Sequence, residues 1–322
     1  MENVSAVARD SRLGPSWSLC VMATILASLG FSLTSWSADP ARSRAAGVRP
    51  PRTAQQNSNG EANAQNALAE KDAAGEQTAS VSAEELARQL PKHVHPKHPL
   101  VPALQMAYKS RDTLKEVSDY TAVFVKKELI GQGYITHSMD MKLRERPFGV
   151  YLRFQDPSPG RQVLYPAGVN KAQLLVQEPG LKGGLIGTIA LSPTAPLAMS
   201  ENRHPITEIG ISNMLNRIIQ QWELEAGFAE TDVNYYPEAK LGAHPVRVIQ
   251  TSHPTRRNQF KYHVTRLFLD QETLFPVRVD QYDWPAQPGG KPVQVELYMY
   301  SSVRTNVGVT DRDFDPRQYN MR

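Results

Sequence analysis

Three histidines within six residues, His93, His95 and His98, are the first group whose spacing invites chemistry. Imidazoles this close bind a divalent metal when a regular element aims them at one point. Here Pro91, Pro96 and Pro99 prevent a helix, Lys92 and Lys97 repel cations, and no acidic residue is interleaved. No metal site is assigned to them. Near the carboxyl end Asp311, Asp313 and Asp315 alternate as calcium ligands do, but Pro316 stands where the loop glycine belongs and Arg322 where the glutamate belongs. Asp311 and Asp315 are expected to cap turns or pair with nearby basic residues instead. The run from Gly180 to Gly187 has the glycine content of a phosphate loop, but its spacing fits neither the dinucleotide fingerprint nor a Walker loop. His137 lies among apolar neighbours and reads as a packed core residue. His204, His244 and His253 each precede proline, which marks turns rather than a converging cluster.

No Gly-x-Ser-x-Gly elbow and no His-Glu-x-x-His helix occurs. The single cysteine, Cys20, sits so early that thiolate catalysis, disulfides and cysteine-held zinc are not expected of the body of the chain. No catalytic residue, metal ligand or cofactor is assigned, and the chain reads as non-enzymatic. A hydrolase with a scattered site stays open as a minor alternative, because spatial pairs of carboxylates leave no mark in sequence. The net charge of +4 is mild, and the nearest basic clusters, Lys126-Lys127 and Arg256-Arg257, are only pairs. A nucleic-acid surface would concentrate them into a stripe with interleaved aromatics, so no nucleic-acid partner is expected.

The elements that would position a site come next. Residues from Leu104 to Lys115 follow helical spacing, giving one amphipathic helix that ends near Val117. The period then switches to two. Tyr120–Leu129 and Tyr134–Arg144 flank Gly131-Gln132-Gly133 and read as a hairpin, followed by a strand over Phe148–Gln155. In the second strand Ile135, His137, Met139, Met141 and Leu143 share one face. Further strands are expected at 161–166, 172–177, 231–236, 245–251, 261–270, 276–282 and 293–301. In the last, Val293, Val295, Leu297 and Met299 oppose Gln294, Glu296, Tyr298 and Tyr300. Two elements interrupt the series: a charge-free stretch from Gly183 to Ser200, and a helix from Ile206 to Ala226. The expected fold is α+β and β-rich: about ten antiparallel strands in a curled sheet, a half-open barrel, with helices over the concave face.

Upstream, Arg9 and Arg12 precede a charge-free apolar run from Trp17 to Leu33, with small residues at Ser35, Ser37 and Ala38. Residues 1–38 are therefore expected to be a secretory signal peptide cleaved near Ser37 or Ala38, with retention as an anchor the alternative. Residues 39–99 read as a low-complexity tether, with a short helix at Ser82–Leu90 capped by Ser82 and Glu85. Residues 100–322 form the folded domain. The protein is accordingly expected in the periplasm or cell envelope.

Several local patterns combine into a resemblance. Lys126-Lys127-Glu128, then Arg146-Pro147-Phe148, Gly168-Val169-Asn170 and Arg203-His204-Pro205-Ile206-Thr207 are among them. Phe275-Pro276-Val277, Glu296-Leu297-Tyr298-Met299-Tyr300 and Asn306-Val307-Gly308-Val309-Thr310-Asp311 complete the set. Together they resemble domain of unknown function family 1571, exported proteins of planctomycete-type bacteria, over most of Leu100 to Asn320. The layout is also similar to the lipoprotein-carrier superfamily typified by LolA and LolB. That similarity implies an apolar cavity in a half-open barrel, a lipid or lipoprotein as partner, and no site residue by motif. From parity, Met139, Met141, Leu152 and Phe154 point to the buried side, and Met214, Ile218 and Trp222 on the inserted helix are candidates to face them. These seven form the expected ligand surface for an acyl chain or other apolar molecule, methionine adapting well to irregular partners. The alternative is an envelope interaction module with a filled core and a protein partner.

Overall fold

A two-residue turn starts the sheet: Gly131, at a φ of +59°, and Gln132 let β1 (Asp119–Ile130) fold back as β2 (Gly133–Arg144). In this computed structural model residues 88–166, 173–180 and 187–321 are described, all within the compact unit Gly75–Arg322. The expected signal peptide, the expected tether over 39–80, most of the expected Ser82–Leu90 helix, and residues 167–172 and 181–186 lie outside the described residues.

From β2 the chain meanders through β3 (Gly149–Asp156), β4 (Gln162–Pro166), β5 (Leu174–Gln177) and β6 (Thr188–Leu191). After the helical insertion it returns as β7 (Asp232–Leu241), β8 (His244–Ser252), β9 (Val264–Asp270), β10 (Pro276–Asp283) and β11 (Val293–Thr305). All pairings are antiparallel, and β11 seats itself against β1, giving the order β6-β5-β4-β3-β2-β1-β11-β10-β9-β8-β7. The sheet is not closed into a barrel, because β6 and β7 both remain edges. There are eleven strands where about ten are expected from sequence. The strand not foreseen, β6, falls inside the charge-free stretch, where the absence of alternating charge hides its period.

Two helices cover the concave face. α1 (Val101–Thr113) and α2 (Ile211–Glu225) pack on each other, and the Tyr108 hydroxyl donates to Glu223 at 2.7 Å. Ile211, Met214, Leu215, Ile218, Ile219 and Trp222 are the buried stripe of α2, the i, i+3, i+4, i+7 pattern of a core-facing helix. This helix begins at Ile211 rather than at Ile206. Gly210 interrupts it at a φ of +114°, and residues 206–208 form a separate 3-10 turn. Its first amides are tied to the sheet, Ile211 N donating to the Tyr120 hydroxyl at 2.9 Å and Gly210 N to the Tyr300 hydroxyl at 3.2 Å.

One expectation needs correction. Packed structure reaches upstream of Leu100: Val94 and His98 are buried, and the His98 ring bonds the Phe228 carbonyl at 2.8 Å. His93 similarly bonds the Glu223 carbonyl at 2.8 Å. The proline-rich histidine segment is thus held against the end of α2 instead of forming part of a tether. Part of the outer face of the sheet is covered as well. Phe314 and Met321, in and after two carboxyl-terminal 3-10 turns, bury against Tyr151, Leu164 and Leu175, and Tyr319 stacks on Tyr151 at 3.8 Å. There Asp311 pairs with Arg144 at 2.8 Å, Asp313 caps the first turn through Thr310, and Asp315 caps the second through Arg317 N. Among the described residues no helix is long and apolar enough to cross a membrane.

Candidate functional site

Cross-strand register writes the floor of the concave face in rows. Phe154 pairs with Met139, Met139 with Phe124, and Phe124 with Tyr300, so four bulky side chains cross four strands in line. One row further along, His137, Lys126 and Tyr298 stand side by side, and beyond them Glu128 meets Glu296. The floor therefore changes from apolar to polar within two steps along β1. The face of β11 that carries Glu296, Tyr298 and Tyr300 is the one turned inward.

Above this floor lies a cavity of about 260 Å³, bounded by edge strand β6, the helical turn at Pro196–Met199 and the start of α2. Met139, Leu152, Phe154, Val163, Leu174 and Leu191 line it from the sheet, and Ile206, Ile209 and Met214 from above. Leu197, 62% exposed, stands in the lining and at the surface, which marks a mouth beside the turn. Four of the seven residues expected from sequence, Met139, Leu152, Phe154 and Met214, meet in this lining. Met141, Ile218 and Trp222 are buried in the main core outside the lining. Parity places Met141 on the same face as Met139, but a second residue along the strand brings it under the helices.

The polar end of the cavity is densely bonded. Lys126 Nζ donates to Glu128 at 2.8 Å, to the Glu201 carbonyl at 2.9 Å and to the Asn202 side chain, using all three hydrogens. Burial lowers the pKa of Lys126, and the Glu128 carboxylate opposes that shift. Glu296 is fully buried and accepts from His204 Nε2 at 2.7 Å, from the Tyr298 hydroxyl at 2.9 Å and from the Tyr262 hydroxyl. Burial alone would raise its pKa, but the bonds from His204, Tyr262 and Tyr298 outweigh it and bring the value to about 2. The Tyr298 hydroxyl also reaches Glu128, and burial followed by the two carboxylates pushes its pKa far up. His204 Nδ1 lies 3.3 Å from Glu208, so each of its ring nitrogens faces a carboxylate.

Glu201 links this cluster to Arg161, which pairs with Glu178 at 2.7 Å and Glu201 at 3.0 Å and lies with its guanidinium over the Phe154 ring. His137 sits between these groups, its side chain 4% exposed and its ring edge-on to Phe154 at 5.0 Å. Its Nε2 is 3.8 Å from Glu201, too far for a hydrogen bond, and its Nδ1 has no partner among the described residues. Burial first, and the Lys126 charge second, bring its pKa down to about 4. The ring is neutral at pH 7.

Sequence reasoning missed this polar end. His137 reads as ordinary core and His204 as a turn, yet both line the cavity. The available signal was Lys126 and Glu128 on the same parity as Phe124, charged residues on an inward face. His244 and His253 do stand apart, His244 pairing with Asp270 at 2.8 Å and His253 buried beside Glu225 at 3.2 Å.

The model of the family described as protein of unknown function (DUF1571) matches residues 117–322. The chain belongs to that family. No curated protein matches its sequence. Among solved structures, this DUF1571 chain is similar to the Mycobacterium tuberculosis lipoprotein LppX, at 12% identity and a TM-score of 0.39, over 66% of this chain and 99% of that one. It is similar to LprF from Mycobacterium bovis at 10% identity and a TM-score of 0.38, over 66% and 97% of the two chains. For a LolA-superfamily protein from Nitrosomonas europaea the figures are 11% and 0.29, over 67% and 98%.

Proposed function

We propose that this is a non-enzymatic, exported protein of the cell envelope that holds an acyl chain, or a comparably apolar part of a lipid or lipoprotein, in the concave cavity. The observation that carries this reading is the cavity of about 260 Å³ between sheet and helices, apolar along its length and polar at one end. That is the distribution an amphiphile requires, because burying its chain gains free energy in proportion to apolar area while its head must keep hydrogen bonds. Met139, Leu152, Phe154 and Met214 would touch the chain; Met141, Ile218 and Trp222 would support them from behind. Export rests on residues 1–38 and their signal-peptide pattern, with residues 39–99 linking that peptide to the domain 100–322.

Extraction of the purified protein followed by mass spectrometry, together with uptake of a fluorescent fatty acyl probe, tests the reading. Leu152→Trp should fill the cavity, lowering uptake at least several-fold with little change in melting temperature. Met141→Trp, in packed surroundings, should instead cost about 1–3 kcal/mol of stability. Equal destabilisation by both, with no lipid extracted and no probe bound, would reject the cavity reading in favour of an interaction module. Tyr235 and Tyr236, exposed on edge strand β7, are the observation that favours a protein partner in that case.

A further inference from the structure

The charged groups around the cavity are unusual in being closed among themselves. Lys126 is bonded to Glu128 at 2.8 Å, Arg161 to Glu178 and Glu201 at 2.7 and 3.0 Å, and Arg217 to Glu208 at 3.2 Å. Each cation of the lining thus already faces a carboxylate. Among the described residues an entering anion would find no unpaired positive charge, and it would have to approach Glu128, Glu178, Glu201 and Glu208. Losing its hydration without a new partner is costly for a carboxylate or phosphate. An uncharged head meets no such penalty.

One polar side chain of the lining is left over. His137 is nearly fully buried, faces Lys126, Glu128, Arg161 and Glu201, and hydrogen-bonds to none of them. Buried polar atoms of native proteins are almost always bonded, so an orphaned one asks for a partner. A neutral imidazole has one nitrogen that donates and one that accepts. The carbonyl of an ester accepts from the first, and a neighbouring hydroxyl donates to the second.

We infer that the cavity selects an uncharged acyl ester over a free fatty-acid anion, with His137 bonding the ester head while the chain lies along Met139, Leu152 and Phe154. This rests on the cavity reading above. The same ester chemistry occurs in a free glyceride and in the lipid anchor of a lipoprotein.

The test is competition against Nile red, an uncharged dye, by 1-decanoylglycerol and by decanoate at pH 8. On the wild-type protein the ester should displace dye at about tenfold or more lower concentration than the anion. The ratio of the two competition constants cancels any change in dye affinity between variants. His137→Phe should shrink that ratio about three- to tenfold, the worth of one hydrogen bond. His137→Gln, which keeps a hydrogen-bonding group there, should retain most of it. Decanoate competing as well as the ester, or His137→Phe leaving the ratio unchanged, overturns the inference while the cavity reading stands. Dye and both competitors failing to bind wild-type protein overturns the cavity reading itself. A diacylglyceryl-cysteine peptide as a third competitor separates the sources: displacement tighter than by the glyceride assigns the ester to a lipoprotein, and weaker displacement assigns it to free lipid.

Discussion

Gly210 shows how much of the site depends on one backbone position. It stands at a φ of +114°, and a Cβ there would lie 2.9 Å from Leu143 Cδ1 and 3.3 Å from the Tyr120 hydroxyl. Only a residue without a side chain lets α2 start where Tyr120 and Tyr300 receive its first amides. Gly210→Ala should therefore destabilise the fold by about 1–3 kcal/mol through backbone strain and crowding. Urea unfolding measures that change, and a stability within error of wild type would show that the helix start can shift freely. The buried polar residues obey a similar constraint. Lys126 and Glu128 lie inside the molecule only because each answers the other's charge and the remaining hydrogens of the ammonium find oxygens at Glu201 and Asn202.

At the scale of elements, the two carboxyl-terminal turns act as a clasp on the outer face of β3, β4 and β5. Phe314 is buried against the sheet, and a Cβ on Gly149 would lie 2.9 Å from its ring, so the glycine is what admits the ring to β3. Lys142 and Arg144 hold the clasp through Asp313 at 3.0 Å and Asp311 at 2.8 Å. These pairs are partly exposed and contribute little beside the aromatic burial. Phe314→Ala should cost about 3–5 kcal/mol by urea unfolding, the usual loss for a buried aromatic ring. Because the clasp and the cavity lie on opposite faces of the sheet, ligand uptake by the still-folded fraction should match wild type. A loss of uptake in proportion to stability would instead couple the two faces.

For the molecule as a whole, the chain runs out along one half of the sheet, inserts α2, and returns along the other half until β11 meets β1. The seam joins residues about as far apart in sequence as the fold allows, and it carries the buried Lys126, Glu128 and Glu296. Acid should therefore act first on this seam and on His137 of β2 beside it. His137 has a pKa near 4 in the folded protein against 6.5 when free, so the unfolded chain binds the extra proton between those values. The stability that depends on its neutral ring is fully present above pH 6.5 and is lost as pH falls towards 4. Glu296, at about 2 against 4.5, adds stability present above pH 4.5 and lost as pH falls further. Both act in the same direction, so melting temperature should decline continuously from pH 7 to pH 3. His137→Phe should flatten the upper part of that decline, by up to about 1.4 kcal/mol per pH unit in stability. An unchanged profile between pH 6.5 and 4 in that variant would mean that His137 does not titrate there.

Local pattern carried most of the architecture. Alternation over Tyr120–Leu129 and Tyr134–Arg144, with a glycine turn between, specifies the hairpin because side chains of a strand repeat every second residue whatever their partners. The 3.6-residue repeat of Ile211, Met214, Leu215 and Ile218 specifies the face of α2 in the same way. From these the strands other than β6, the two helices and the inward parity of Met139, Leu152, Phe154 and Met214 follow. The polar half does not follow. Glu128 and Glu296 are separated by well over half the folded domain, and they meet through the β1–β11 pairing, a non-local contact that no window of sequence contains. The same distance hides why His204, apparently a turn residue before proline, ends against Glu296, and why His93 and His98 end against carbonyls of α2 and the loop after it. Periodicity tells each residue which side of its own element it occupies. Only the tertiary pairing of distant strands decides which buried polar group finds its partner and which, like His137, is left facing the cavity without one among the described residues.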